Sequence, residues 1–126
     1  MIRIPDPGRF ELRLMDGSVN PYLLQASVLA AGLFGLKNKI DPGKPLNCNM
    51  YEDHAKYPDL PKLPNELGQS LEQLKNNKEM NEAFGKETIM SYIKLRSLEI
   101  REFQSKENFD MTKPISKWEK DNTLDC

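Results

Sequence analysis

Between Arg9 and Met15 the chain alternates strictly, with Arg9, Glu11 and Arg13 on one parity and Phe10, Leu12 and Leu14 on the other. Successive side chains of an extended chain point to opposite faces, so this is the pattern of a strand with one apolar side and one ionic side. The ionic groups would stand about 6.6 Å apart, two residues at about 3.3 Å rise each. Positive, negative and positive groups at that spacing suit an extended, charged ligand with a cation in its middle, such as a nucleoside triphosphate with its metal. The same alternation also describes a half-buried strand whose polar face meets water. Pattern alone leaves both readings open.

The rest of the composition narrows the setting. At 126 residues the chain is one domain or part of one. With 38% apolar and 29% charged residues it reads as a soluble globular chain, and a net charge of −1 argues against a nucleic-acid or membrane surface driven by bulk electrostatics. The longest uncharged apolar run, Pro21 to Leu36, is too short for a spanning helix and is broken by Gly32 and Gly35. The start shows no pattern of a secretory signal. Cys48 and Cys126 are too few for a disulfide framework and lack metal-ligand spacing, so a reduced, cytoplasmic protein is expected. Only Ile2–Ile4 and Arg9–Met15 read as strands. A two-stranded sheet is marginal alone, so the chain is expected to be the tail of something larger.

Pro5, Pro7 and Gly8 make a turn between these strands, and Asp16-Gly17-Ser18 ends the second. Asn20 is suited to cap a helix and Pro21 to open one that runs to about Lys39. Apolar residues surround that helix nearly all round, which predicts burial on most sides. Residues 44–64 form a long proline-rich connection holding Tyr51, His54 and Tyr57, with His54 read as a surface residue. Leu67, Leu71 and Leu74 predict a helix over about 65–77, followed by a short one over 78–84 that Gly85 stops. A long amphipathic helix over about 86–104 carries Ile89, Tyr92, Ile93, Ile100 and Phe103 as its stripe, with Leu95 and Leu98 on the far side. Arg96 falls inside the stripe, its stem packing and its head reaching water. A polar loop over 106–113 and a last helix over about 115–122, anchored by Trp118, complete the chain. There is no internal repeat, phosphate-binding glycine loop, nucleophile elbow, Cys/His cluster or heptad run.

The opening segment resembles the C-terminal signature of glutamine synthetases. The residues that carry it are Ile2-Arg3-Ile4-Pro5, Arg9-Phe10-Glu11-Leu12-Arg13, Asp16, Asn20-Pro21-Tyr22-Leu23, Ala31-Gly32-Leu33-Phe34-Gly35-Leu36 and Lys39-Ile40-Asp41-Pro42-Gly43-Lys44-Pro45. Each fragment is weak, but their order and spacing together are specific. Leu60-Pro61-Lys62-Leu63-Pro64, the Trp118-Glu119 helix and Thr123-Leu124-Asp125-Cys126 are similar to the tail of the bacterial type III, or T-type, branch. The resemblance implies an α+β, predominantly helical fold, the C-terminal fragment of a glutamine synthetase catalytic domain. Its parts would be an active-site strand region over 1–15, a buried helix over 20–40, a proline-rich wrap over 44–64 and a helical tail over 65–126.

The family joins glutamate to ammonia, using ATP to make a γ-glutamyl phosphate that ammonia then attacks. Divalent cations, Mg2+ or Mn2+, and several arginines neutralise the transferring phosphoryl group. By resemblance Glu11 is a metal ligand, Arg3 and Arg9 bind nucleotide phosphates, and Arg13 is the catalytic residue that meets the glutamate substrate or the transferring phosphate. The resemblance also implies a homo-oligomer with sites between subunits, and no nucleic-acid or membrane partner. Tyr51 stands at the spacing of a tyrosine that some members adenylylate, but Glu52-Asp53-His54 departs from their pattern, and a plain loop tyrosine is the preferred reading. One carboxylate does not hold a magnesium ion, so the isolated chain is expected to be inactive. Two alternatives remain: a γ-glutamyl ligase using methylamine or a polyamine, and a non-catalytic helical interaction module.

Overall fold

The computed structural model describes residues 1–106 and 115–123. Of the loop expected over 106–113 only Lys106 is described, and it is helical; the rest of it and the closing residues 124–126 lie outside the described residues. The elements are two strands, β1 (Ile2–Asp6) and β2 (Arg9–Leu12), then α1 (Pro21–Lys37), α2 (Met50–Asp53), α3 (Leu67–Asn76), α4 (Lys78–Phe84), α5 (Lys86–Lys106) and α6 (Lys117–Asn122). The chain divides into two compact units, residues 1–29 with 102–126 and residues 30–101.

In the first unit β1 and β2 pair antiparallel, with Ile2 opposite Leu12, Arg3 opposite Glu11 and Asp6 opposite Arg9. Pro7 and Gly8 form the two-residue link, Gly8 at a φ of 77° that the proline-glycine turn requires. A turn of that hand splays its strands, and the ladder shows a bulge between Arg3 and Asp6. The last rung runs from the Arg13 N–H to the Met1 carbonyl at 2.9 Å. The strand expected to reach Met15 ends at Leu12. Asp16 closes the segment by accepting from the Ser18 N–H and hydroxyl, both at 2.8 Å. Asn20 caps α1 as expected, its Oδ1 accepting from the Tyr22 and Leu23 N–H groups at 3.0 and 3.1 Å. At the other end of this unit Ser116 and Glu119 form a reciprocal capping box, so α6 starts at Lys117 and not at Ile115. Trp118 meets Phe103 edge to face, with centroids 5.7 Å apart and planes at 71°.

The burial expected for α1 is not met among the described residues. None of its residues is buried, and Leu36 is 78% exposed. A helix that is apolar on every side needs covering on every side, and the described residues do not supply it. The helix also stops before Lys39. The Lys39 N–H donates to the Leu36 carbonyl and the Ile40 N–H to the Gly35 carbonyl, with Lys39 at φ 50°. This is a Schellman stop with a lysine in the left-handed position.

In the second unit the proline-rich connection is less featureless than its sequence suggests. Asn49 caps α2 by accepting from the Tyr51 N–H, and a 3-10 turn over His54–Lys56 follows. Asn77 ends α3 and caps α4, its Oδ1 accepting from the Met80 N–H at 2.8 Å. Gly85, at φ 82°, separates α4 from α5 as expected. Leu71 of α3 and Ile89 of α5 are the only buried residues among those described. Tyr92, Ile93, Ile100 and Phe103 are half-buried along α5, while Leu95 and Leu98 lie exposed on its far side.

Candidate active site

The hairpin register explains why four charged side chains meet. Arg9, Glu11 and Arg13 share a face of β2 by alternation, and Arg3 joins them because it lies directly opposite Glu11 on β1. The Glu11 carboxylate is the centre. Its Oε1 accepts from Arg9 Nη2 at 2.8 Å, and its Oε2 accepts from Arg13 Nη2 at 2.9 Å and Nε at 3.2 Å. Arg3 Nη1 reaches the same Oε2 at 3.4 Å. The Arg13 hydrogen bond, helped by the charges of Arg3 and Arg13, holds the Glu11 pKa below its ordinary 4.5 against the opposing effect of partial burial.

The four residues singled out in the sequence thus come together on one face. Alternation places three of them; Arg3 needs the pairing register, and the signal for it was the two-residue Pro7-Gly8 link that sets which residues oppose. Tyr51 is exposed on the first turn of α2 and not in a loop. His54 belongs to the 3-10 turn. The Arg96 head does not simply reach water: it lies 5.5 Å from the Tyr92 ring centroid and donates from Nη1 to Glu99 Oε2 at 2.7 Å. Its Nε is buried without a hydrogen-bond partner among the described residues.

Glu11 is the site's single carboxylate, and both its oxygens are engaged by guanidiniums. No group of three or more His, Cys, Asp or Glu able to hold a metal occurs among the described residues. A divalent cation needs several oxygen ligands, so these residues do not by themselves fit one. What the arrangement offers is a cationic surface built from forked donors, the geometry that recognises carboxylate and phosphate oxygens.

Residues 1–113 match the family model for the glutamine synthetase catalytic domain. This chain belongs to the glutamine synthetase family. It is similar to a glutamine synthetase of Rhizobium meliloti (strain 1021), 45% identical over 125 residues, which cover 99% of this chain and 27% of that protein. It is also 35% identical over 128 residues to a glutamate–methylamine ligase of Methyloversatilis universalis, with 99% and 27% covered. A solved GmaS/ADP complex superposes with a TM-score of 0.78 at 35% identity, covering 100% of this chain and 27% of that one. The α+β, mainly helical architecture is that of part of a glutamine synthetase catalytic domain, and the chain spans about a quarter of the length of the relatives it matches. No helix among the described residues is long and apolar enough to cross a membrane.

Proposed function

We propose that this chain serves the ATP-dependent ligation of ammonia to the γ-carboxylate of glutamate, contributing one wall of the site where γ-glutamyl phosphate forms. The observation that carries the reading is the convergence of Arg3, Arg9 and Arg13 on one exposed hairpin face around Glu11. Phosphoryl transfer is catalysed mainly by positioning and by neutralising charge on phosphate oxygens. In this reading Arg3 and Arg9 hold nucleotide phosphates, and Arg13 meets the glutamate substrate or the transferring phosphoryl group. Glu11 would be one of the several ligands that Mg2+ or Mn2+ needs, and the cation, when bound, would neutralise phosphate charge. A cytoplasmic homo-oligomer is part of the same proposal. The nucleotide role is supported by ADP in the GmaS complex.

The test uses a chimera carrying these 126 residues in place of the matching stretch of the Rhizobium meliloti enzyme. It is expected to release phosphate from ATP only with glutamate and ammonia present. The choice between ammonia and methylamine, the amine named for the Methyloversatilis relative, is decided by assaying the full-length parent with each. The 126 residues alone are expected to release none, and turnover by them would contradict the proposal. Ligation that survives both Arg9→Ala and Arg13→Ala unchanged would also overturn it.

A further inference from the structure

Arg13 is held differently from the other two arginines of the hairpin face. Arg3 lies inside β1 and Arg9 inside β2, whereas β2 ends at Leu12. A single backbone bond, from the Arg13 N–H to the Met1 carbonyl, ties Arg13 to the hairpin. Leu14 and Met15 make no hydrogen bond among the described residues, and the next fixed point is Asp16. We propose that Asp16 is a positioning residue for Arg13: its carboxylate ties off the chain three residues further on and so holds the Arg13 backbone in place. The inference rests on the reading that Arg13 meets glutamate or the transferring phosphoryl group.

The device is a side-chain turn. Oδ1 of Asp16 accepts from both the N–H and the hydroxyl of Ser18, each at 2.8 Å, and the Val19 N–H donates to the Asp16 carbonyl at 3.4 Å. The Ser18 N–H, and after it the hydroxyl, hold the Asp16 carboxyl below its ordinary 3.8. At the far end of the link Asn20 caps α1. Without the turn, the chain from Arg13 to Asn20 would have no anchor between its ends among the described residues. An unanchored link explores many backbone states, and binding must then remove that freedom. A reacting group displaced by about 1 Å can lose about a hundredfold in rate. Arg3 and Arg9 precede the link and stand in the paired strands, so the loss falls on Arg13 first.

The test is steady-state kinetics of the chimera, with glutamate and ATP varied in turn, rates taken per mole of folded enzyme and thermal unfolding recorded beside them. Asp16→Ala is expected to lower kcat/KM for glutamate at least about tenfold, with the KM for ATP within about twofold of the unsubstituted value. Asp16→Asn keeps an Oδ1 acceptor and is expected to restore kcat/KM to within about twofold. Asn20→Ala loosens the same link at its helix end, where it removes a cap, and is expected to leave kcat/KM of the folded enzyme within about twofold.

A loss in Asp16→Ala no larger than that in Asn20→Ala would overturn the inference, since Asp16 would then be one structural contact among others. A loss in Asp16→Asn equal to that in Asp16→Ala would overturn it too, because charge and not the turn would be acting. Where Asp16→Ala fails to assemble, Ser18→Ala decides, as it removes the hydroxyl donor and keeps the N–H. A smaller loss of the same kind is expected there, and unchanged kinetics would overturn the inference. Arg13→Ala separates the two levels. Full activity in it would overturn the reading of Arg13 and this inference together, whereas a large loss in it with none in Asp16→Ala would overturn the inference alone.

Discussion

In the β1–β2 hairpin the apolar residues Ile2, Ile4 and Phe10 are exposed, while the ionic side chains are drawn together on Glu11. In α3 to α5 the order is reversed: Leu71 and Ile89 are buried, and Glu72 and Lys75 stand in solvent at a loose 3.9 Å. The hairpin has rungs, a turn and ion pairs but no core of its own. Exposed ion pairs contribute at most about 1 kcal/mol each, so stability does not account for gathering three arginines round one acid. A ligand does. The helices of the second unit carry apolar burial, which is where folding free energy resides.

This contrast is broken most easily by substitutions that should separate activity from stability. Arg13→Ala in the chimera is expected to lower glutamine formation about 10²- to 10³-fold, the usual cost of removing a donor to developing charge, with the melting temperature within about 2 °C. A large fall in melting temperature instead would show that the cluster is structural. Leu71→Ala is expected to do the opposite. Truncating a buried leucine costs about 2–5 kcal/mol, read as a lower urea midpoint of the 126-residue chain.

Asn20→Ala removes the acceptor for two N–H groups at the start of α1. It is expected to cost about 1 kcal/mol, seen as faster amide exchange at Tyr22 and Leu23. The smallest effect concerns pH. The folded pKa of Glu11 is lowered, so its contribution to the hairpin is fully present above the ordinary 4.5 and is lost as pH falls through the lower folded value. Amide protection of Arg13, the last rung, is expected to decrease on acidification from pH 5 to pH 3. An increase would contradict the sign.

Where the fold is set by neighbouring residues, it was legible. Asn20 with Pro21, the run from Lys78 to Phe84 and the Gly85 break act through bonds within one turn of chain, and each stands where the pattern places it. The helix α2 was hidden because Pro45 and Pro58 flank it, although Asn49 with Glu52 three residues later is the signature of a capped start. The surroundings of α1 were not legible, because apolarity states a demand for cover and not its source. The partners of the Arg96 head were not read for a related reason: Tyr92 and Glu99, four and three positions away, hold it at the helix surface. At the site, alternation placed Arg9, Glu11 and Arg13, while Arg3 required the strand pairing, a long-range fact.

The most direct measurement is ATP- and glutamate-dependent glutamine formation by the chimera bearing Glu11→Ala, read beside its thermal unfolding. The expected result is a fall of at least about a hundredfold in kcat/KM with an unchanged melting temperature. Activity within twofold of the unsubstituted chimera would show that the hairpin face takes no part in phosphoryl transfer.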